Sequence, residues 1–154
     1  MAPESWPKPD VCNCLALRQA ARHVTQFYDQ FLADAGLRTT QFSILAKLRR
    51  VGPLSINALA KELVMDRTTL GRNILPLQRE GLIAIVRGRT DRRSKELQLT
   101  EAGLARLHKA IKGWNKAQAQ FETVFGVKRT VDLRSLLHAV SGSDFAGADA
   151  AAIN

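Results

Sequence analysis

The chain has 154 residues, a length that suits one ordinary domain with a hydrophobic core. It carries 23 Lys and Arg against 14 Asp and Glu, and its formal net charge of +9 favours a polyanionic partner, either nucleic acid or an anionic membrane surface. No apolar run of roughly 18 residues is present, so we expect no membrane-spanning helix. The two cysteines are too few for a disulfide scaffold, and the first residues lack the pattern of a secretory signal; a reduced, cytoplasmic protein is expected.

Three prolines in residues 1–10 predict an extended, flexible N-terminus, after which Asp10 is a suitable N-cap. Apolar residues recur with helical spacing from Val11 to Ala35, and Gly36 is expected to end that helix. A helix of this length in so short a chain suggests that it packs against a partner subunit as well as against its own core.

Three shorter helices are predicted next, the second capped by Ser55 and the third by Asp66. Their expected ranges are 40–51, 56–63 and 67–80, and Gly81 ends the last one. Pro76 removes one backbone donor inside the third helix, so we expect a mild kink there rather than a break.

After Gly81 the spacing of the apolar residues changes from a helical pattern to one typical of strands. Residues 82–86 are rich in β-formers and residues 95–99 alternate polar with apolar, which predicts a β-hairpin with a strongly basic tip between them. Thr100 is expected to cap a long helix that carries apolar residues as far as Phe125. A final short helix is predicted at 131–140, followed by a flexible tail at 141–154.

The segment from Arg67 to Lys95 has the composition of a DNA-binding surface. It holds eight basic residues, seven of them arginine, against two acidic ones, a local excess of +6. Arginine suits phosphates, guanine edges and narrow minor grooves, while asparagine and threonine can contact adenine, phosphate or thymine methyl groups. Expected DNA contacts are Ser55, Arg67, Thr68, Thr69, Arg72, Asn73, Arg87, Arg89, Arg92 and Arg93.

Three short helices followed by a hairpin is the order of a winged helix-turn-helix, whose third helix enters the major groove. The predicted fold is therefore mainly α with a small β-hairpin wing (α+β). It consists of a winged-helix DNA-binding domain at 39–100, flanked by dimerisation helices at 11–38 and 101–140. The two long apolar stripes exceed what one small domain needs to bury, which also favours a symmetric dimer.

Several motifs together resemble the MarR family of bacterial regulators, over about residues 11–140. They are Ser55-Ile56-Asn57-Ala58-Leu59-Ala60, Asp66-Arg67-Thr68-Thr69-Leu70, Leu77-Gln78-Arg79-Glu80-Gly81-Leu82-Ile83, Asp91-Arg92-Arg93-Ser94 and Leu97-Gln98-Leu99-Thr100-Glu101-Ala102-Gly103. The resemblance implies an obligate homodimer joined through both chain ends, which binds a pseudo-palindromic operator as a regulator, in most cases a repressor, released by an effector. It implies that Arg93 enters the minor groove and that Asp91 braces the wing; Asp91 is also a good turn former, and both roles are compatible.

Family members lose DNA affinity on binding a small phenolic acid or on oxidation of a cysteine, and the sequence has material for both. Cys14, Tyr28 and Gln41 align with the cysteine, tyrosine and glutamine of the organic hydroperoxide sensors, with Tyr28 donated by the opposing subunit. Arg18, where those sensors carry a second tyrosine, could favour the Cys14 thiolate. Cys12 and Cys14 of two chains could instead hold a soft metal or a metalloid. In the simplest alternative Cys14 is a small buried apolar residue and Cys12 is incidental.

A phenolic ligand would lie among the first, second and fifth helices. The candidate contacts are Arg18, Arg22, His23, Phe27, Phe42 and Trp114. The same residues could equally be core aromatics and arginines that cover apolar surface with their stems.

Two other classes compete with this interpretation. An enzyme is not favoured, because the sequence has no Gly-rich phosphate loop, metal-ligand cluster or nucleophile motif, and we expect neither cofactor nor metal. A sequence-tolerant architectural DNA binder remains an alternative; it would show a steep salt dependence with little discrimination between sites.

Overall fold

The computed structural model describes residues 5–147, so residues 1–4 and 148–154 of the predicted flexible ends lie outside it. Within this range the chain forms mostly helix, with short 3₁₀ turns at Pro9–Val11 and Ala33–Ala35 on either side of the first helix. The helices are α1 (Asn13–Leu32), α2 (Thr39–Val51), α3 (Ile56–Glu62), α4 (Arg67–Arg79), α5 (Glu101–Phe125) and α6 (Val127–Ser141). The strands are β1 (Leu54–Ser55), β2 (Ile83–Arg87) and β3 (Lys95–Leu99).

The strands form one antiparallel sheet in the order β1-β3-β2. Ile83 lies opposite Leu99 in the hairpin, and Leu54 lies opposite Leu97. The hairpin is confirmed, but β1 was not predicted. A two-residue strand is too short to show an alternating pattern, and it forms only because β3 offers a free edge.

The main core lies beneath α4, between α2, α3 and the sheet. Leu70 and Leu77 of α4 are almost fully buried, with Leu59 and Leu45 from the neighbouring helices. Burying a leucine side chain is worth roughly 1.5–3 kcal/mol, so this face of α4 is firmly anchored. The opposite face of α4 is left exposed to solvent.

Three helix ends share one hydrogen-bond pattern, the Schellman motif, in which a residue in the left-handed conformation follows the helix. After the first helix this residue is Gly36 (φ +67°), and after α4 it is Gly81 (φ +72°), as predicted. After α3 it is Val64, with φ +51°. A β-branched residue is strained there, because its Cβ crowds the carbonyl oxygen.

The start of α1 differs from the prediction. The N-cap is Cys12, not Asp10: Asp10 lies inside the 3₁₀ turn, and the Cys12 sulfur accepts a hydrogen bond from the Leu15 amide at 3.4 Å. Cysteine is not a common N-cap, so sequence rules favoured the aspartate.

The last helix begins at Val127, four residues before its predicted start. Gly126 (φ +100°) separates it from α5, and the Thr130 hydroxyl donates to the Gly126 carbonyl at 2.8 Å. The helix α4 continues through Pro76 to Arg79. The continuous α4 agrees with the prediction that Pro76 would not break the helix.

Long apolar faces remain uncovered within the single chain. On α1 only Leu32 is buried and Leu17 is 41% exposed, and in the 3₁₀ turn before it Val11 is 74% exposed. Further exposed apolar residues on α5 and α6 are Val124, Val127, Val131, Leu136, Leu137 and Val140. A monomer therefore exposes much more apolar surface at its two ends than around the sheet.

Candidate nucleic-acid interface and adjoining cavity

The exposed face of α4 begins at a strong N-cap. The Asp66 carboxylate accepts hydrogen bonds from the Thr69 amide at 2.8 Å and from the Thr69 hydroxyl at 2.6 Å. Because these bonds stabilise the charged carboxylate, they hold the pKa of Asp66 below its ordinary value. These bonds hold the first turn of α4 in place at its own N-cap.

The predicted contact residues of α4 are not equivalent. Arg67, Thr68 and Arg72 are exposed, and no hydrogen bond restrains their side chains among the described residues. The Thr69 hydroxyl already donates to Asp66, and Asn73 donates its amide to the Thr69 carbonyl at 2.9 Å. Thr69 thus serves the helix cap, and Asn73 has its amide oxygen left for a partner.

Ser55 lies at the start of α3, at the edge of the same surface. Its Oγ accepts from the Ala58 amide at 3.1 Å, which confirms the predicted N-cap. The hydroxyl proton is not used in this bond and can be donated elsewhere.

The tip of the hairpin is a compact turn built around Asp91. Its carboxylate accepts from the Arg93 amide at 2.9 Å, and its carbonyl accepts from the Ser94 hydroxyl at 2.7 Å. Gly88 is buried in this turn, where a Cβ would overlap Ser94 Oγ and lie 2.5 Å from the Asp91 carbonyl oxygen. The bonds of Asp91 are those that a residue bracing the wing needs.

The positive charge of this surface is not neutralised within the chain. Three ion pairs form among residues 5–147, at Lys47–Glu62, Glu80–Arg106 and Lys128–Asp132, and none uses the basic residues between Arg67 and Lys95. All eight of those basic residues are exposed: Arg67, Arg72, Arg79, Arg87, Arg89, Arg92, Arg93 and Lys95. The arrangement presents a helix face and a hairpin tip with one sign of charge.

A cavity of about 330 Å³ lies between the four helices α1, α2, α5 and α6. The Phe42 and Trp114 rings stack on its wall, with centroids 6.0 Å apart and planes 18° apart. The polar lining includes Tyr28, whose hydroxyl donates to Gln118, and the guanidinium side chain of Arg134. The space is aromatic on one side and carries a cation on another.

Tyr28 is a cavity residue with a shifted pKa. Burial raises the pKa of its phenol above the ordinary value, and the charge of Glu122 raises it further, while Arg134 acts in the opposite direction. The phenol therefore keeps the proton that it donates to Gln118 throughout the neutral range.

Only part of the predicted ligand set lines this cavity. Phe42 and Trp114 do, whereas Arg18, Arg22 and His23 are exposed on α1 away from it. Phe27 packs edge-on against Tyr28 and Phe31 instead. Gln118 and Arg134 were missed; Arg134 follows Thr130 by one helical turn on the cavity side of α6, a spacing that could have indicated it.

Both cysteines are exposed, so the interpretation of Cys14 as a buried apolar residue is wrong for the single chain. Cys14 and Tyr28 lie on the same helix, about 21 Å apart along its axis, and do not meet within one subunit. No cluster of three or more His, Cys, Asp or Glu residues suited to a metal occurs among residues 5–147. In the same range no helix combines the length and apolar character required to cross a membrane.

A capped helix-turn-helix, followed by a charged hairpin packed on the same core, defines a winged-helix transcriptional regulator. A sequence profile of the MarR family matches residues 37–95. An uncharacterized HTH-type transcriptional regulator of Bacillus cereus is 31% identical over 97 residues, and the transcriptional repressor NicR of Pseudomonas putida is 33% identical over 95 residues. These matches cover 63% and 62% of this chain, and the chain spans 64% and 60% of the length of those relatives, less than two thirds.

Solved structures extend the likeness to nearly the whole chain. The M. tuberculosis transcriptional regulator MosR superposes with a TM-score of 0.74 and 34% identity, covering 88% of this chain and all of MosR. A structure of MosR in complex with DNA matches with a TM-score of 0.72 and 36% identity, over 84% of this chain and 96% of that one. The chain belongs to the MarR family.

Proposed function

We propose that this regulator is a homodimeric repressor that binds a pseudo-palindromic operator and is released by an effector. The observation that carries the proposal is the unneutralised arginine surface formed by α4 and the hairpin tip. The similarity to MosR, which is known in complex with DNA, and to NicR, which is named a repressor, supports it. Residues 39–100 would bind DNA, and residues 11–38 and 101–140 would form the dimer.

In this proposal the exposed face of α4 enters the major groove. Arg67 and Arg72 bind phosphates or guanine edges, with Thr68 beside them, and Asn73 accepts or donates at a base through the part of its amide not bound to Thr69. The hairpin carries Arg93 into the adjacent minor groove, where Arg87, Arg89 and Arg92 bind the flanking phosphates. Ser55 donates to a phosphate from the start of α3.

The partner that would cover the exposed apolar faces is a second copy of the chain. These faces lie on α1, α5 and α6, at both ends of the sequence and away from the arginine surface. Two copies joined there would present two α4 helices to one side of a duplex, as an operator with two half-sites requires.

The effector would occupy the aromatic cavity. Its volume of about 330 Å³ suits a small aromatic molecule. A ring would stack on Trp114, a carboxylate would pair with Arg134, and a phenolic hydroxyl would donate a hydrogen bond to the Tyr28 oxygen. A small phenolic acid satisfies all three groups.

The DNA-binding proposal is tested by selecting a duplex from a random pool and measuring its affinity by fluorescence anisotropy. Arg93→Ala should weaken binding by about 1–3 kcal/mol, roughly five- to 150-fold. Lys109→Ala removes the same charge from the outer face of α5 and serves as the matched control. Equal affinities for wild type and Arg93→Ala, or equal affinities of wild type for the selected and a scrambled duplex at fixed salt, would contradict the proposal.

The cavity is tested with hydroxybenzoates and hydroxycinnamates, using the emission of Trp114 in a Trp6→Phe background. Binding should be lost in Arg134→Gln and retained in Lys128→Gln, which removes a charge from the exposed side of α6. The amides of the same acids, which lack the carboxylate, should bind at least about tenfold more weakly. If acids and amides bind equally well, Arg134 does not recognise a carboxylate.

A redox effector is a second candidate, because both thiols are exposed and the Cys12 sulfur accepts an amide hydrogen bond that would also stabilise a thiolate. An organic hydroperoxide would oxidise a thiolate to a sulfenic acid and leave as the alcohol. Cumene hydroperoxide should then release the wild-type protein from DNA. The variant that lacks the reactive thiol, either Cys12→Ser or Cys14→Ser, should stay bound to DNA. Release of the Cys12→Ser/Cys14→Ser double variant by the peroxide would exclude this route. Arsenite in place of the peroxide tests the metalloid alternative with the same variants.

A further inference from the structure

The end of α4 and the start of α5 meet at one small junction. The chain leaves α4 through Glu80, Gly81 and Leu82, and it enters α5 at Thr100. Because β2 and β3 pair in register from Ile83 opposite Leu99, these two segments are brought side by side at the base of the hairpin.

Thr100 holds both segments at once. Its hydroxyl donates to the Gly81 carbonyl at 2.6 Å and accepts from the Gly103 amide at 3.0 Å, so one oxygen caps α5 and binds the turn after α4. The Thr100 amide also donates to the Leu82 carbonyl at 3.2 Å. A shift of either helix end must break at least one of these bonds.

Two further residues tighten the junction. Arg106, one and a half turns into α5, pairs with Glu80 at 3.1 Å. Gly103 is buried so closely against the Leu82 carbonyl that a Cβ there would overlap it. The contact is therefore a close packing of backbone on backbone, reinforced by one ion pair.

The same helix continues to the cavity. Trp114 and Gln118, which line it, are fourteen and eighteen residues beyond Thr100, about 21 and 27 Å along α5. The helix is unbroken from Glu101 to Phe125, so its backbone hydrogen bonds connect the junction to the cavity without interruption.

We propose that the junction made by Thr100, Gly103 and the Glu80–Arg106 pair transmits movement between the recognition helix α4 and the cavity through α5. Thr100 and Arg106 are positioning residues: neither belongs to the proposed DNA-contact residues, and neither lines the cavity. The inference rests on the proposed DNA-binding function, and it adds a route by which occupancy of the cavity would change the position of α4. Because coupling between two sites is reciprocal, we expect DNA binding to act back on the cavity and to change the surroundings of Trp114.

This reciprocity allows a test without any cavity ligand. Trp6→Phe leaves Trp114 as the single tryptophan, and the probe is the duplex selected from a random pool. Saturating duplex should change the emission of Trp114 in this background. Thr100→Val keeps the side-chain shape and removes the hydroxyl, so the change in Trp114 emission at saturating duplex should fall to about half or less of that in the parent protein. Thr100→Ser, which keeps the hydroxyl, should restore the emission change.

Arg106→Met provides an independent variant if Thr100→Val does not fold, and it should reduce the change in the same direction. Its matched control is Lys47→Met, which breaks an exposed ion pair of the same length between α2 and α3. A full emission change in Thr100→Val and Arg106→Met would overturn the proposal. So would an unchanged Trp114 emission when the parent protein is saturated with duplex. Failure to recover any specific duplex would instead contradict the DNA-binding function itself.

Discussion

Val64 is the residue whose replacement should stabilise this protein. The ends of α3 and α4 have the same Schellman bonds: the Met65 amide donates to the Ala60 carbonyl at 2.9 Å, as the Leu82 amide does to the Leu77 carbonyl at 2.9 Å. The left-handed position is valine at the first end and Gly81 at the second. The comparison isolates one variable, the side chain in a strained backbone conformation.

The expected gain follows from two terms. A left-handed L-residue costs roughly 1–2 kcal/mol relative to the right-handed conformation, and Val64→Gly removes that strain. Glycine loses more backbone entropy on folding, which offsets about 0.5–1 kcal/mol. Since the valine side chain is 74% exposed, little burial is lost. The net stabilisation should be up to about 1 kcal/mol, a rise in Tm of roughly 2–4 °C.

Urea and thermal unfolding measure this gain in stability. The protein concentration is kept fixed because dimerisation would make Tm depend on concentration. Val64→Ala retains the left-handed strain and should gain much less than Val64→Gly. Gly81→Val is the reciprocal variant: a Cβ there would meet no atom within 4 Å, so its loss of stability would come from conformation alone. If Val64→Gly unfolds at lower urea than wild type, the strain argument is wrong.

Three further predictions concern the wing, the helix cap and the cavity. Gly88→Ala should weaken binding of the selected duplex while leaving Tm within a few degrees, because the added methyl group opens the turn that Asp91 holds. Fluorescence anisotropy measures the affinity and circular dichroism measures Tm. An unchanged affinity would contradict the role of this turn. Asp66→Ala should lower Tm at neutral pH, and because the folded pKa of Asp66 is depressed, this difference should shrink as the pH falls below about 3.9 and through the lower folded value. A difference that stays constant with pH would argue against the cap. Tyr28 is the single tyrosine, so phenolate absorbance reports its titration alone, and the midpoint pH should be higher in the native than in the urea-unfolded protein. The stability that the raised pKa of Tyr28 contributes is present below about pH 10 and is lost as the pH rises through the raised pKa. A native midpoint at or below the unfolded one would show that burial does not control this phenol.

Local rules predicted the parts of the fold that depend on short segments of chain. The caps Ser55, Asp66 and Thr100 each hold the amide three residues ahead, and Gly36 and Gly81 end their helices. Such features are visible in a sequence because one side chain satisfies a neighbouring backbone group without help from the rest of the molecule.

Where the rules failed, the outcome depended on a neighbouring turn or on strand pairing, and not only on one side chain and the backbone group next to it. Cys12 replaced Asp10 as the cap because a 3₁₀ turn had already taken up the aspartate. The strand β1 exists because β3 has a free edge. Val64 adopts the left-handed conformation at the end of α3, where the Met65 amide donates to the Ala60 carbonyl, against the preference of a β-branched residue.

The sequence by itself determined the order of the elements and the concentration of arginine between Arg67 and Lys95, since periodicity, capping and charge are properties of the chain. Only the tertiary structure decided which side chains share a cavity. Arg134 reached it and Arg18 did not, because the helix pairing of α1, α2, α5 and α6 determines which faces meet. The junction at Thr100 was likewise invisible in the sequence: its partners Gly81 and Leu82 are nineteen and eighteen residues away and are brought there by the pairing of two strands.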